Sequence, residues 1–312
     1  MQNRRKFIQT TSTAAAYSLF LGHLWGCKEA PVPLKELNLT PEQLYKMGYV
    51  RGDVGFFTER GGTIGWLANK DGIVIVDSQF PQQAGKMMAE IKKVSDRRVD
   101  YLINTHHHGD HTSGNIYFKD TADVILAHSQ SKVNQQMVAV ERENMKETLL
   151  PNETFTKSVQ KKVAGETITL NYYGPAHTDG DAVVHFEKSN VVHLGDLVFN
   201  RRFPYIDKRA GANVQNWVNV LDKVLNTYDN EAIFLFGHSD NDHDIIGNKE
   251  DIKAFQNYLE KVIELGQKSI AAGKTSQELI DELETIPGAP EWKGRGIDRS
   301  INAIYTELRT QG

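Results

Sequence analysis

Four histidines and an aspartate lie within six consecutive positions of this 312-residue chain, in the stretch INTHHHGDHTSGN. The ligand-type side chains follow the pattern H-x-H-x-D-H, with His106, His108, Asp110 and His111 at the named positions. In an extended segment residues two apart point the same way, so His106 and His108 can hold one ion from one side. The turn at Gly109 then brings Asp110 and His111 to a second position, so the motif predicts a metal site.

The donor set indicates which metal and which chemistry. Imidazole and carboxylate ligands without thiolate favour zinc, with iron and manganese as competitors. A metal with protein ligands on three sides keeps a position open for water and lowers the pKa of that water to about 7. Two ions about 3.5–4 Å apart can share a hydroxide and stabilise both the attacking and the leaving oxygen. We therefore expect two zinc ions.

Apolar, strand-like runs deliver these polar residues and others like them. YLINT leads into His106, LNYYGPA into His177, VVHLG into Asp196 and AIFLFG into His238. Strand ends are rigid, and the loops beyond them are free of the hydrogen-bond ladder. The four exits can converge on one edge of a sheet core. Asp196 arrives from a different strand and is the expected bridge between the two ions.

The rest of the chain alternates strand-like and helix-like segments. TIGWLANKDGIVIVDS reads as two strands joined by a turn at Asp71-Gly72, and PQQAGKMMAEIKKVSD has helical spacing. NVQNWVNVLDKVLNTY places apolar residues on one helical face, and the chain beyond Lys249 is predicted to be mostly helical. This pattern predicts a mixed α/β fold in which sheets are covered by helices.

The ordered motifs resemble those of the metallo-β-lactamase superfamily. They are HHHGDH at 106–111, GPAHT at 174–178, Gly195-Asp196 and Gly237-His238, and the resemblance covers roughly residues 50–248. It implies a four-layer αββα sandwich with the site at one edge of the two sheets. It also implies a first metal held by His106, His108 and His177, a second held by Asp110, His111 and His238, and Asp196 as the bridge. By the same resemblance, Asp77 is the aspartate that steadies the metal loop.

Departures from the family pattern narrow the predicted substrate. His108 stands where the di-iron branch has glutamate, which favours zinc, and no candidate is visible for the substrate-gripping arm of the RNA-processing branch. The best-known lactamases carry cysteine at the position of Asp196 and a substrate-binding lysine at that of Phe199. Arg201 and Arg202 lie nearby and could replace the lysine. β-Lactam hydrolysis is therefore expected to be weak or incidental.

These observations predict a zinc-dependent hydrolase that uses a metal-bridged hydroxide on a cyclic or activated acyl substrate, such as a lactone, ester or lactam. Asp110 has a second predicted role in orienting the hydroxide. The alternatives are a phosphodiesterase of the same fold and a non-catalytic zinc-binding lipoprotein. GFFTERGG at 55–62 predicts either a mobile flap with Phe56 and Phe57 touching the substrate, or packing of both rings in the core.

Composition and the first residues bear on partners and location. A net charge of −4, with no long basic run, argues against nucleic-acid binding and leaves a small molecule as the expected partner. Arg4-Arg5 before an apolar stretch resembles a twin-arginine export signal. Cys27, the only cysteine, ends a lipobox-like LWGC and is predicted to be lipidated. We expect an export signal at 1–27, a tether at 28–48, one hydrolase domain at 49–312, and a lipid-anchored protein of the periplasm or outer surface.

Overall fold

The computed structural model describes residues 45–293 and 295–310, all within one compact unit that spans 33–312. The predicted export signal, Cys27 and nearly all of the predicted tether lie outside the described residues. Within the described part of the chain, no helix is both long enough and apolar enough to cross a membrane. The first described strand begins at Lys46, close to the predicted start of the domain.

The first sheet has seven strands that follow one another in chain order. The first four pair antiparallel, whereas β4 to β7 pair parallel and need longer connections. Its strands are β1 (Lys46–Arg51), β2 (Val54–Thr58), β3 (Ile64–Asn69), β4 (Gly72–Val76), β5 (Val99–Asn104), β6 (Ala122–His128) and β7 (Glu153–Phe155). The helices between them are α1 (Pro81–Ile91), the short α2 (Gly109–Thr112) and α3 (Ser129–Glu141).

The second sheet has six strands in the order β15-β13-β11-β10-β9-β8, and a separate two-stranded ladder joins β12 to β14. The strands are β8 (Ser158–Val163), β9 (Glu166–Asn171), β10 (Val183–Phe186), β11 (Val191–His193), β12 (Phe199–Asn200), β13 (Ile233–Leu235), β14 (His238–Ser239) and β15 (Ile246–Gly247). The accompanying helices are α4 (Val214–Thr227), α5 (Lys249–Ala271), α6 (Ser276–Asp281) and α7 (Ile297–Arg309).

Three buried apolar clusters separate four layers. Between the sheets, side chains such as Val76 of β4 pack with Leu170 of β9. Outside the first sheet, Trp66 and Ile75 pack with Met87 of α1. Outside the second sheet, the largest cluster joins its strands to the C-terminal helices through Trp217, Phe234, Phe255 and Ile304. The predicted αββα sandwich is therefore confirmed.

Local sequence explains why the elements lie where they do. β4 (GIVIV) is buried along its whole length because both faces of the first sheet are covered, which favours a continuous apolar run. The predicted turn before it is present, and Asn69 Oδ1 accepts a hydrogen bond from the Asp71 N–H (2.8 Å). Pro81 occupies the first turn of α1, where its missing N–H leaves no helical bond unmade.

Helix α3 buries polar residues and exposes apolar ones. Asn134 and Gln135 are buried, whereas Val133 and Val140 are more than half exposed. The buried amides have partners: Asn134 Nδ2 donates to Asp179 Oδ1 (2.7 Å), and Gln135 Nε2 donates to Asn104 Oδ1 (3.2 Å). The buried face of α3 therefore packs against Asp179 and against Asn104, the last residue of β5 before the histidine motif.

Candidate metal centre

The seven candidate ligands meet at one edge of the two sheets. β5 ends two residues before His106, His108 directly precedes α2, and the single turn of α2 carries Asp110 and His111. The second sheet contributes the loop after β9, the short helical turn 195–197 after β11, and β14 just after β13. The side chains brought together in this way are His106, His108, Asp110, His111, His177, Asp196 and His238.

Three histidines and one carboxylate form the first group. His108 Nδ1 lies 3.0 Å from His106 Nε2 and 2.9 Å from His177 Nε2. Asp196 Oδ2 lies 3.4 Å from His177 Nε2 and 3.8 Å from His106 Nε2. Four ligands at roughly 2.0–2.2 Å from a tetrahedral ion would lie about 3.3 Å apart. The observed spacings bracket that value.

Asp110, His111 and His238 form a second group beside the first. Asp110 Oδ2 lies 3.1 Å from His238 Nε2 and 3.9 Å from His111 Nε2. Asp196 also reaches this group, because its Oδ1 lies 3.0 Å from His111 Nε2 and its Oδ2 lies 3.5 Å from His238 Nε2. Asp196 thus stands between the two groups, where a bridging carboxylate would.

Two further observations fit a divalent cation at this point. His111 Nε2 and Asp196 Oδ1 are buried 3.0 Å apart, and neither atom has a hydrogen-bond partner elsewhere among the described residues. In the metal-free protein a proton between them satisfies both atoms, and a cation bound by both would replace that proton. Glycines also leave space for the ligands: a Cβ on Gly62 would lie 2.1 Å from the His111 ring, and one on Gly237 would lie 2.0 Å from Asp196 Oδ1.

Asp77, at the end of β4, supports a ligand in each group without entering either. Its Oδ2 lies 2.7 Å from His111 Nδ1 and accepts a hydrogen bond from the Thr105 hydroxyl (2.7 Å), while its Oδ1 accepts from the Thr105 N–H (2.8 Å). The Thr105 hydroxyl in turn lies 3.0 Å from His106 Nδ1 and can accept its proton. This network keeps Nδ1 protonated on both histidines and directs each Nε2 towards the metal position.

Electrostatics differ between the two groups. Burial lowers the pKa of His177 to about 3 and holds that of His106 well below its usual value, so both are neutral ligands. Burial would also lower the pKa of His111 and His238, but the Asp196 carboxylate raises both. Burial would raise the pKa of Asp110, but His111 and His238 hold it at about 2. The second group therefore holds protons that a metal ion must displace.

Asp207 is a neighbour of the centre that the sequence did not reveal. Its Oδ2 lies 3.1 Å from His108 Nε2 and 3.5 Å from His107 Nε2. Because Nε2 of His108 faces this carboxylate, Nδ1 is the atom left for a metal. His107, which is not among the seven candidate ligands, is buried beside the same carboxylate. No local motif marks Asp207, which comes from a loop 99 residues further along.

The metal centre opens into a cavity of about 590 Å³. Asp110, Asp196 and His238 line its floor, and Phe199 lines it too, with its ring stacked on His238 at 5.4 Å between centroids. Arg202 lies on the cavity wall. The aromatic and cationic lining makes this cavity the candidate substrate site.

Arg201, Phe56 and Phe57 do not reach the cavity, so the predicted substrate contact of Arg201 and the flap alternative for the two phenylalanines are wrong. Arg201 turns away from the cavity: its Nη1 pairs with Asp251 Oδ1 (2.7 Å). Phe57 is fully buried in the outer core of the first sheet, and Phe56 packs against the core between the sheets. Alternate residues of β2 point to opposite faces, and both faces are covered, so neither ring reaches the cavity.

Residues 57–238 match the sequence model of the Metallo-beta-lactamase superfamily. The chain belongs to this superfamily. The matched range holds all seven candidate ligands together with Asp77, and it ends before α5, α6 and α7. The C-terminal helices of this superfamily member therefore lie beyond the part that the family model describes.

Relatives within the superfamily carry different activities in their names. The chain is 24% identical to metallo-beta-lactamase IND-1 of Chryseobacterium indologenes over 176 residues, which are 56% of this chain and 70% of that protein. It is 27% identical to a type 2 metallo-beta-lactamase of Bacillus cereus over 206 residues, 65% of this chain and 77% of that one. It is 18% identical to a linear primary-alkylsulfatase of Pseudomonas sp. over 260 residues, 70% of this chain and 49% of that one.

Solved structures with low sequence identity share the superfamily fold. The sec-alkylsulfatase Pisa1 from Pseudomonas sp. superposes with a TM-score of 0.67 at 11% identity, over 84% of this chain and 50% of that one. A metallo-beta-lactamase from Pontibacter korlensis gives a TM-score of 0.54 at 15% identity, over 73% of this chain and 99% of that one. The chain thus spans about half the length of the alkylsulfatases it matches and nearly the whole of the lactamase.

Proposed function

We propose that this metallo-beta-lactamase superfamily hydrolase is a zinc enzyme with two metal ions, and that it cleaves cyclic or activated acyl compounds such as lactones, esters or lactams. The observation that carries the proposal is the pair of nitrogen and oxygen ligand groups that share Asp196 at the floor of an open cavity. Two bound ions would act as Lewis acids and lower the pKa of water at this point.

The chain's own residues supply binding and orientation. Asp110 is about one third exposed, lies on the cavity floor and stays ionised, since its pKa is about 2. It can accept a hydrogen bond from the attacking water and fix the direction of its lone pair. Phe199 and Phe203 line the same cavity and offer a substrate apolar surface beside the ligands.

The cavity favours an enzyme over a protein that only stores zinc. A storage site needs no space for a substrate beside its ligands, whereas these ligands line a space large enough for a small molecule. Phosphodiester hydrolysis remains the alternative reaction, because the same pair of ions can stabilise an attacking and a leaving oxygen at phosphorus.

The test compares one zinc-loaded preparation on four substrates: a neutral lactone or aryl ester, a carbapenem, a phosphodiester and an alkyl sulfate. We expect the highest kcat/KM on an acyl compound, loss of that activity with a chelator, and recovery with zinc. A phosphodiester preferred by orders of magnitude would replace the acyl proposal. No turnover of any of the four, with zinc bound, would favour storage.

We also propose that the protein is exported and anchored through lipid on Cys27. This proposal rests on Arg4, Arg5 and Cys27, which lie outside the described residues. A bacterial lipoprotein carries more than one acyl chain, which stable anchoring requires. Replacing Cys27 with serine should release the protein from the membrane fraction. Wild-type protein that is already soluble and retains Met1 would rule out the anchor.

A further inference from the structure

Three arginines line the metal cavity without a partner. Arg142 directly follows α3, Arg202 follows β12, and Arg299 lies in the first turn of α7. Among the described residues, none of the three guanidinium groups forms an ion pair, a hydrogen bond or a contact over an aromatic ring. All three side chains are exposed to the cavity or its mouth, so they are available to a ligand.

The other charged side chains that line the cavity already have partners in the protein or belong to the metal groups. Arg209 pairs with Glu141 (2.6 Å), and Asp207 lies against His108 (3.1 Å). Asp110 and Asp196 belong to the two metal groups. Among the described residues that line the cavity, the charged side chains left without a protein partner are all positive, so the cavity is complementary to an anion.

The C-terminal segment holds Arg202 and Arg299 at the rim. Trp292 Nε1 donates a hydrogen bond to the Arg202 carbonyl (3.1 Å), and Gly296 packs so tightly that a Cβ there would lie 2.8 Å from Phe203 Cβ. At the far end of α7, buried Glu307 accepts from the Val214 N–H (2.8 Å) at the start of α4. Helix α7 is therefore fixed at both ends.

Arg142 lines the same cavity beside the turn that carries Asp110. Its Nη1 lies 3.9 Å from the position that a Cβ on Gly109 would occupy, next to the ligand Asp110. Arg142, directly after α3, and Arg299, on α7, thus line one cavity together with the ligands Asp110, Asp196 and His238. An anionic group bound there would leave a neighbouring bond of the same molecule within reach of the floor.

We propose that the substrate carries an anionic oxygen group, separate from the bond that is broken, and that Arg142, Arg202 and Arg299 bind it. This inference rests on the proposed acyl hydrolysis and names the substrate class for that site. Arg299 lies beyond residues 57–238, so the C-terminal helices supply a specificity element that the family match does not contain. A carboxylate, a sulfate and a phosphate share the recognition chemistry, and guanidinium groups bind all three.

The experiment uses a matched pair of substrates, nitrophenyl acetate and the mono-nitrophenyl ester of glutarate, which differ by a distal carboxylate. The zinc-loaded full chain is compared with Arg142→Ala, Arg299→Ala, the double variant and Arg299→Lys. Each single Arg→Ala substitution should raise KM for the anionic ester about three- to tenfold, and the double variant should raise it about ten- to hundredfold. The effect of each guanidinium group is limited because the exposed arginines are partly hydrated. KM for nitrophenyl acetate should change less than about twofold, and Arg299→Lys should retain part of the effect.

Arg98→Ala is the matched control, because Arg98 is an exposed arginine paired with Asp123 outside the cavity. It removes the same charge and should leave both KM values unchanged. An equal rise in KM for the anionic ester in this control would assign the effect to net charge and overturn the site. Equal KM values for wild type and the double variant would overturn it directly.

A binding measurement separates this inference from the proposed function. Calorimetry of glutarate, and of sulfate and phosphate in parallel, is run on zinc-loaded wild type and the double variant. If neither ester is hydrolysed but glutarate binding still depends on the two arginines, the acyl proposal fails and the anion site stands. If glutarate binds wild type and double variant equally, the metal alone holds the anion and the inference is wrong. If wild type binds sulfate or phosphate more tightly than glutarate and the double variant does not, that ion identifies the anionic group of the substrate.

Discussion

Replacing Asp77 with asparagine should weaken both metal groups from outside them. Asp77 is fully buried, and three donors converge on its two oxygens: the Thr105 N–H, the Thr105 hydroxyl and His111 Nδ1–H. An amide offers one oxygen and one NH₂ group, so at least one donor faces another donor. If His111 responds by moving its proton to Nε2, it ceases to be a ligand.

The expected loss can be worked from these contacts. A hydrogen bond to a charged acceptor contributes about 1.5–3 kcal/mol, and supporting residues of metal ligands typically change metal affinity about ten- to hundredfold. Asp77 has a positive φ of 64°, which asparagine tolerates as aspartate does, and the two side chains have the same size. Neither backbone strain nor a new cavity therefore contributes to the difference.

Thr105→Val is the matched variant. It removes the hydroxyl that lies between Asp77 and His106 Nδ1 and leaves the contact of Asp77 with His111 intact. It should weaken the first metal group only, whereas Asp77→Asn weakens both. Denaturant unfolding of the metal-free proteins gives the stability change, and chelator competition gives the two zinc affinities. If Asp77→Asn keeps both affinities within about twofold and the same unfolding midpoint, the network does not orient the ligands.

Acidification should release the second ion before the first, because the Asp196 carboxylate raises the pKa of His111 and His238 while burial lowers that of His177 to about 3. Protons therefore replace the metal at His111 and His238 at a higher pH; elemental analysis after dialysis at falling pH checks this, and simultaneous loss of both ions would contradict it. Gly237→Ala should cost metal and activity, since its Cβ would lie 2.0 Å from Asp196 Oδ1 and 2.8 Å from the Gly195 carbonyl oxygen. Gly85→Ala in α1 should keep full metal content in the same assay. Removing metal should lower the melting temperature, because the ions bind only the folded chain. At a free zinc concentration of 100 times Kd, one bound ion raises the free energy of unfolding by about 2.7 kcal/mol. Equal melting curves with and without zinc would show that the candidate ligands do not bind the metal.

The sequence predicted the layers and the ligand cluster because both follow from local pattern. Apolar runs mark buried strands, and polar residues at their exits, such as His106 and Asp196, come together when those strands form the two sheets. For Phe56 and Phe57 the sequence left a flap and core packing open, and the tertiary structure decides between them. Phe56 and Phe57 lie in a strand covered on both faces, so neither ring has access to the cavity.

Contacts between distant segments could not be predicted from the sequence. Arg201 and Arg202 are equivalent by position, but the positive φ of Arg201 (56°) turns its side chain to Asp251 and leaves Arg202 on the cavity wall. His108 and Asp207 are 99 residues apart in the chain, and they come into contact only through the tertiary fold. Arg299 reaches the cavity only because α7 is fixed at both ends by tertiary contacts.

The ligands are divided between the two sheets, four following β5 of the first and three following strands of the second. Neither half of the chain can hold an ion with its full set of donors, so the centre comes into being only when the sheets dock. Metal loading must therefore follow folding. A donor set of this kind binds copper more tightly than zinc when both are freely available. If the proposed centre is loaded as the chain folds, the metal supply of the compartment in which it folds would decide which ion it takes.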